Sequence, residues 1–192
     1  GEAIQNFEQY VEKKMQIDKI PGLSIGFMKD DFTWAQGFGY SDLENQAKAK
    51  PQSSYRMASV SKTFTALAVL KLVEQGKINL DQEVQTYVPY FPEKKWPVTI
   101  RQLLGHLGGI SHYKDYDKEG HFKNHMNTKQ AISVFKDFEL VAEPGTQYSY
   151  SSYGFNLLGA VVEEASGQSY GDFIRENIFK PLGMSDSRMD SP

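Results

Sequence analysis

An α/β (α+β) fold is predicted, with a helical subdomain joined to an incomplete antiparallel-sheet subdomain. Three observations in the 192 residues carry that prediction. Strand-like alternation occurs only near the start, in "LSIGFMK" and "FTWAQGF". From Val60 onward almost every apolar run has helical spacing or helix-end signals. Two strands are too few for a stable sheet of their own, so the sheet is expected to be incomplete.

The elements follow in chain order. "AIQNFEQYVEKKM" sets Ile4, Phe7, Val11 and Met15 at helical spacing, and Pro21-Gly22 ends that region. Leu23, Ile25 and Phe27 alternate with smaller residues, and Asp30-Asp31 separates the two runs, which predicts a β-hairpin. "GYSDLENQAKAKPQSS" is a polar connection. Val60 to Val73 is apolar and helix-forming, with Gly76 as its C-cap. Asp81 is placed to cap a short helix before Pro89, and Thr99 to cap "IRQLLGHL", which Gly108-Gly109 stops. "SHYKDYDKEGHFKNHMN" is a polar, aromatic loop, and Thr128 precedes the helical "KQAISVFKDF". "EPGTQYSY" is extended or turning. "GFNLLGAVVEEASG" is a helix closed by Gly167, and "YGDFIRENIF" another before Pro181.

Composition sets outer bounds. Hydrophobic residues are 40%, charged residues 23% and net charge −3, which gives no electrostatic case for nucleic acid or an anionic membrane. Cysteine is absent, so disulfides, thiol catalysis and thiolate metal sites are excluded. No segment reaches the roughly 18 apolar residues of a membrane span. The N-terminus shows no signal pattern.

Chemistry enters at "MASVSKTFTAL", where a lysine stands at the mouth of an apolar helix. The S-x-x-K spacing occurs three times, at Ser59–Lys62, Ser111–Lys114 and Ser133–Lys136, and a G-x-S-x-G match surrounds Ser24. An elbow serine needs a strand, a sharp turn and a helix, whereas Ser24 lies inside a strand followed by a strand. Ser111 sits in a polar loop and Ser133 within an amphipathic helix, and both read as solvated polar residues. Ser59 sits where a polar connection becomes a helix. Residues three apart on a helix are neighbours, so Lys62 reaches back to the Ser59 hydroxyl. The positive end of the helix dipole favours an alkoxide there. Burial favours a neutral lysine, which can take a serine proton. The alternative is that Ser59 is a plain N-cap with Lys62 reaching out to water.

Four more stretches bear on that choice: the continuation "SYRMASVSKTFTALAVLKLVEQGKINLDQEVQTYVP", then "VTIRQLLGHLGGI", "PGTQYSYSSYGFNLLGAVVEEASG" and "IFKPLGM". In that order they resemble the serine β-lactamase and penicillin-binding-protein superfamily. Within it they are similar to the class C-like branch, with its D,D-peptidases, family VIII-type esterases and mitochondrial serine β-lactamase-like proteins. The resemblance implies a β-lactamase/transpeptidase-like fold and a serine hydrolase. It sets Ser59 on the family nucleophile, Lys62 on its partner and Tyr150 on the tyrosine of the Y-x-N motif. A tyrosine beside a lysine can pass protons between Ser59 and a leaving group. Ser152 stands where the family usually has asparagine, and is expected to hold a substrate amide less firmly than two donors and an acceptor would.

The family's third motif, His-x-Gly or Lys-Thr-Gly on a late strand, is absent. In relatives that region supplies most of the sheet and one of two oxyanion-hole N–H groups. The expectation is therefore an N-terminal piece of a longer protein, nicked, truncated or completed by another chain. The expected parts are 1–59 as helix and hairpin of the α/β subdomain, 60–168 as the helical subdomain, and 169–192 as a return segment. His106 matches a histidine of the family's H-x-S-G stretch and reads as structural, holding a helix end, while Gly108 replaces the serine there. His121 and His125 have i, i+4 spacing but no third ligand in register, so no metal and no cofactor are expected. Tyr113 and Tyr116 line the cleft or are surface aromatics, with Tyr113 the substrate-binding candidate.

The expected partner is a small-molecule or peptide substrate with a carbonyl, in an ester, amide or β-lactam. A rival function is a non-catalytic scaffold that keeps the fold. The resemblance points to an extracytoplasmic compartment, on which the residues themselves are silent.

Overall fold

A computed structural model describes residues 1–119 and 125–190, without the side chains of Tyr116 and Asp117. The chain forms two compact units, Gly1–Arg56 and Met57–Pro192.

In the first unit the apolar stripe of α1 (Glu2–Asp18) buries Val11 and Met15. Lys19, in the left-handed region at φ 54°, ends the helix. Strands β1 (Gly22–Lys29) and β2 (Phe32–Asp42) pair antiparallel from Gly22 opposite Gly39 to Lys29 opposite Phe32. That register places Leu23, Ile25, Trp34 and Phe38 against Phe7, Val11 and Met15 in one small core. Ser24 lies in β1, its hydroxyl donating to the Lys50 carbonyl at 2.7 Å and bonded to the Tyr55 hydroxyl at 2.8 Å.

The polar connection holds a third strand, β3 (Ala47–Lys48), paired antiparallel with the end of β2. Two strands were expected here. The reason is a turn closed by Asp42, whose carboxylate accepts from the Asn45 backbone at 3.0 Å and side chain at 2.7 Å. Such side-chain turns reverse the chain without an apolar signal. At Gly37 a Cβ would stand 2.2 Å from the Ala49 carbonyl oxygen, so only glycine admits the chain returning past β2.

The second unit holds α2 (Ser61–Glu74), α3 (Ile100–Leu104), α4 (Tyr116–Glu119), α5 (Thr128–Ser133), α6 (Ser152–Ser166) and α7 (Tyr170–Ile174). Helices α2 and α6 pack together. Ala68, Val69 and Leu72 share one core with Leu157, Leu158 and Val161, all fully buried. Each of the valine and leucine side chains contributes roughly 1.5–3 kcal/mol on burial. From the segment after residue 169, Phe173, Ile174 and Ile178 join this core.

Several helix ends differ from expectation. A 3-10 turn, Ala58–Val60, precedes α2, so Ser59 lies just before the α-helix proper. Asp81 caps nothing, because its carboxylate binds the Arg101 guanidinium at 2.7 and 3.0 Å. Thr99 does cap α3, in a reciprocal box with Gln102. That helix stops at Leu104, because Gly105 caps it and His106 turns away at φ 56°. Asn127 caps α5, again with a glutamine three residues on. Gly167 closes α6 at φ 70°.

One strand-like run of backbone bonds prepares the site. Val141 N–H donates to Gly109 O, Gly145 N–H to Leu107 O and Ser149 N–H to His106 O, each at 2.8 Å. Residues 141–149 thus run alongside 106–109 and deliver Tyr150 to the start of α6. Gly109 has φ 68°, and a Cβ there would lie 2.2 Å from the Ala142 carbonyl oxygen. Gly76 has φ 70° with open space around it. Gly76→Ala should therefore lose only the left-handed penalty, about 1–2 kcal/mol. Gly109→Ala should lose clearly more, because backbone must also move. Urea denaturation of both variants measures this, and equal losses would contradict the close approach.

Candidate active site

Two helix starts build the site. Ser59 comes from the turn before α2 and Lys62 from the first turn of α2. Tyr150 and Ser152 come from the start of α6. The Lys62 ammonium donates to Ser59 Oγ and to Ser152 Oγ, both at 3.1 Å. The Tyr150 hydroxyl donates to Ser59 Oγ at 2.6 Å. Lys62 Nζ also lies 4.7 Å from the Tyr150 ring centroid and 5.9 Å from that of Phe155. Ser59 and Tyr150 are exposed and Lys62 is half-buried, so the Ser59 hydroxyl faces solvent while the lysine is held behind it.

The electrostatics follow from these contacts. Lys62 beside Tyr150 holds the phenol below its ordinary value of 10.0. The hydrogen bond to Ser59 acts the same way, and partial burial opposes both. Tyr150 therefore gives up its proton more readily than an ordinary phenol. Ala58, immediately before Ser59, is held at φ 45°. A non-glycine residue there costs about 1–3 kcal/mol, and the packed helix start must hold it.

Histidines anchor the start of α6. The Ser151 N–H donates to His106 Nδ1 and the Ser152 N–H to His112 Nδ1, both at 3.1 Å. Both are opening N–H groups of a helix, which otherwise lack partners. Ser151, only 3% exposed, caps the helix by accepting from Gly154 N–H at 2.9 Å and donates to the Ser111 carbonyl at 2.8 Å. His106 stacks on Tyr150, ring centroids 4.6 Å apart, and on Phe155 at 5.0 Å. Burial lowers the His106 pKa first, and the charge of Lys62 lowers it further. A neutral ring suits its work, because Nδ1 must accept.

Ser59, Lys62, Tyr150 and Ser152 thus form one hydrogen-bonded group. Ser152 differs from the expectation in part: its oxygen receives Lys62, so it positions the lysine as well as facing the cleft. Tyr113 stacks on His112 at 3.8 Å and meets Tyr153 edge-on at 6.1 Å. It is not among the residues lining the cavity beside Lys62. The side chain of Tyr116 and the whole of His121 lie outside the described residues. His125 is exposed, and no group of His, Asp or Glu suited to a metal occurs among the described residues.

Ser111 was read as a solvated loop residue. It is 5% exposed, and its hydroxyl has no hydrogen-bond partner among the described residues. At Gly108, a Cβ would press on Val98 and Leu103 at 3.0 and 3.1 Å, which accounts for the glycine in place of the family's serine. His112 and Ser151 were missed, since their contacts join residues 40 or more apart in the chain.

The fold and this arrangement of side chains are those of the β-lactamase-like serine hydrolase family. A sequence-family model described as Beta-lactamase matches residues 7–192, and the chain belongs to that family. It is 32% identical to the serine beta-lactamase-like protein LACTB, mitochondrial, of Homo sapiens, over 85% of this chain and 42% of that protein. The octameric penicillin-binding protein homologue from Pyrococcus abyssi superposes with a TM-score of 0.84 at 34% identity, over 95% of this chain and 43% of that one. A class C beta-lactamase superposes with a TM-score of 0.81 at 26% identity, over 95% and 49%. The chain spans less than half the length of each of these relatives. Among the described residues no helix is long and apolar enough to cross a membrane.

The anchoring role of His106 makes a pH prediction. Its folded pKa lies below the ordinary 6.5, so the unfolded chain binds a proton first as pH falls. Its contribution to stability is full above 6.5 and declines as pH drops from there through the lowered value. Nuclear magnetic resonance titration should place the His106 ring below 6.5. His106→Ala should lose about 1–3 kcal/mol through the unpaired Ser151 N–H, and flatten the pH dependence in that window. A ring titrating at or above 6.5 would contradict this.

Proposed function

We propose that this chain carries the nucleophile of a serine hydrolase that works through an acyl-enzyme on ester, amide or β-lactam carbonyls. One observation carries the reading: Ser59 Oγ is held between the Tyr150 hydroxyl at 2.6 Å and the Lys62 ammonium at 3.1 Å. A nucleophile within hydrogen-bond reach of a base, itself oriented by a third group, is the general signature of covalent catalysis. A scaffold would have no use for a lowered phenol hydrogen-bonded to an exposed serine.

The steps follow from the contacts. Ser59 Oγ forms a bond to the carbonyl carbon while its proton passes to Tyr150. The bond to the leaving group breaks, and Tyr150 gives that proton to the departing atom. Lys62, placed in the sequence reading as the base, lowers the phenol and holds Ser152 here, and Tyr150 takes the proton. Water then attacks the acyl-enzyme, its proton moving to Tyr150 and on to the Ser59 oxygen as the ester bond breaks. The family's third motif is not among these residues, so full turnover is proposed for the protein supplied with a second oxyanion donor. Such a donor is worth on the order of 10²–10³ in rate.

Hydrolysis of an activated ester across a pH series tests the assignment. The wild-type kcat/KM should rise with pH through an inflection below 10.0, the ordinary phenol value. Ser59→Ala should abolish turnover without changing the unfolding midpoint. Lys62→Met should lower kcat/KM by about 10²–10⁴. It should also move the inflection up toward the ordinary phenol value, because the charge that lowers Tyr150 is gone. Turnover that survives Ser59→Ala would overturn the proposal.

A further inference from the structure

A cavity of about 350 Å³ opens beside Lys62 and Ser152, between α2, α5, α6 and α7. That is at the small end of ligand sites, enough for a short substituent. Its polar atoms are unequally engaged. Thr65, 6% exposed, bonds the Tyr170 hydroxyl at 2.6 Å, so these two satisfy each other. Lys62 already donates to Ser59 and Ser152. Asn156 is exposed and lines the cavity, and its amide has no hydrogen-bond partner among the described residues. It lies one helical turn beyond Ser152 on the same face of α6.

The position relative to the reacting atoms gives the cavity a side. Tyr150, which returns the proton to the leaving group, does not line it, and neither does Ser59. The leaving group departs on the Tyr150 side. The cavity lies on the Lys62 and Ser152 side, where the acyl portion of the substrate must extend. Among the described residues no carboxylate lines the cavity and the one cation, Lys62, is engaged, so they leave a charged substituent unmatched. A free carboxamide offers two donors and an acceptor, the complement of another amide.

The geometry points to an acyl-side subsite in which Asn156 binds a short, uncharged, amide-bearing substituent of the substrate, at a position where Ser152 offers no amide of its own. The assignment of the acyl side rests on the proposed function. The amide recognition does not, and it is tested by binding as well as by turnover.

The probes are N-acetylglycine p-nitrophenyl ester, p-nitrophenyl acetate and the non-reacting N-acetylglycinamide. Asn156→Ala should lower the ratio of kcat/KM for the amide-bearing ester over the acetate about tenfold, the size of one lost hydrogen bond. At Gly159 a Cβ would lie 3.8 Å from Tyr170, ordinary contact, so Gly159→Leu fills the cavity without forcing backbone. It should lower the same ratio at least as much.

In the Ser59→Ala protein, which cannot turn over, N-acetylglycinamide should shift the nitrogen resonances of Asn156 and Gly159. It should bind several-fold more weakly after Asn156→Ala. Binding that behaves so without any ester turnover would leave the subsite standing and remove the hydrolase. Turnover with an unmoved ratio, or no shifts at Asn156 and Gly159 at the highest soluble concentration, would overturn the subsite.

Discussion

The contact of Lys62 with two serines from different helices is the constraint on which the site depends. Ser59 is its neighbour along the chain, whereas Ser152 arrives from ninety residues later. Only the packing of α2 on α6 makes the second contact possible, and that packing is apolar: Ala68, Val69 and Leu72 against Leu157, Leu158 and Val161. The charge of Lys62 is then fixed between two oxygens and beside a phenol. Its position lowers Tyr150 and adds to the burial that lowers His106, so one cation acts on the tyrosine and on the histidine that steadies it. Hydrophobic burial, which has no direction, is thereby converted into a directed polar geometry.

A second layer keeps that geometry from drifting. Two histidine rings receive the opening N–H groups of α6, and a buried serine caps the same helix. The approach to them is a run of backbone bonds past Gly109, where no side chain fits. Left-handed backbone at Ala58 and His106 borders the site on both sides. Each is a local cost that surrounding packing must hold, and each turns the chain so that a functional side chain faces the others.

Much of this was legible in the sequence where the physics is local. Thr99 and Gln102 announce a helix start by spacing alone, Gly167 announces an end, and Ser59 and Lys62 are neighbours because three residues make almost one turn. Tyr150 and Ser152 were reached through family resemblance, since nothing local joins them to Lys62. What stayed hidden depends on distant parts of the chain. Strand β3 carries no apolar pattern because Asp42 and Asn45 make its turn. Ser111 looked solvated because its neighbours are polar, and the chain buries it under the start of α6. His112 and Asn156 carry no signal by themselves: one is a loop histidine and the other a polar residue on a buried helix, until α6 is set beside α2.

The central claim is that these contacts make Ser59, among all the serines, the reactive one. Intact-mass spectrometry of the chain after exposure to a reactive β-lactam, followed by peptide mapping, tests it most directly. The account predicts a single covalent adduct on Ser59, absent from Ser59→Ala and unaffected by changing Ser61. No adduct, or an adduct on another residue, would contradict it.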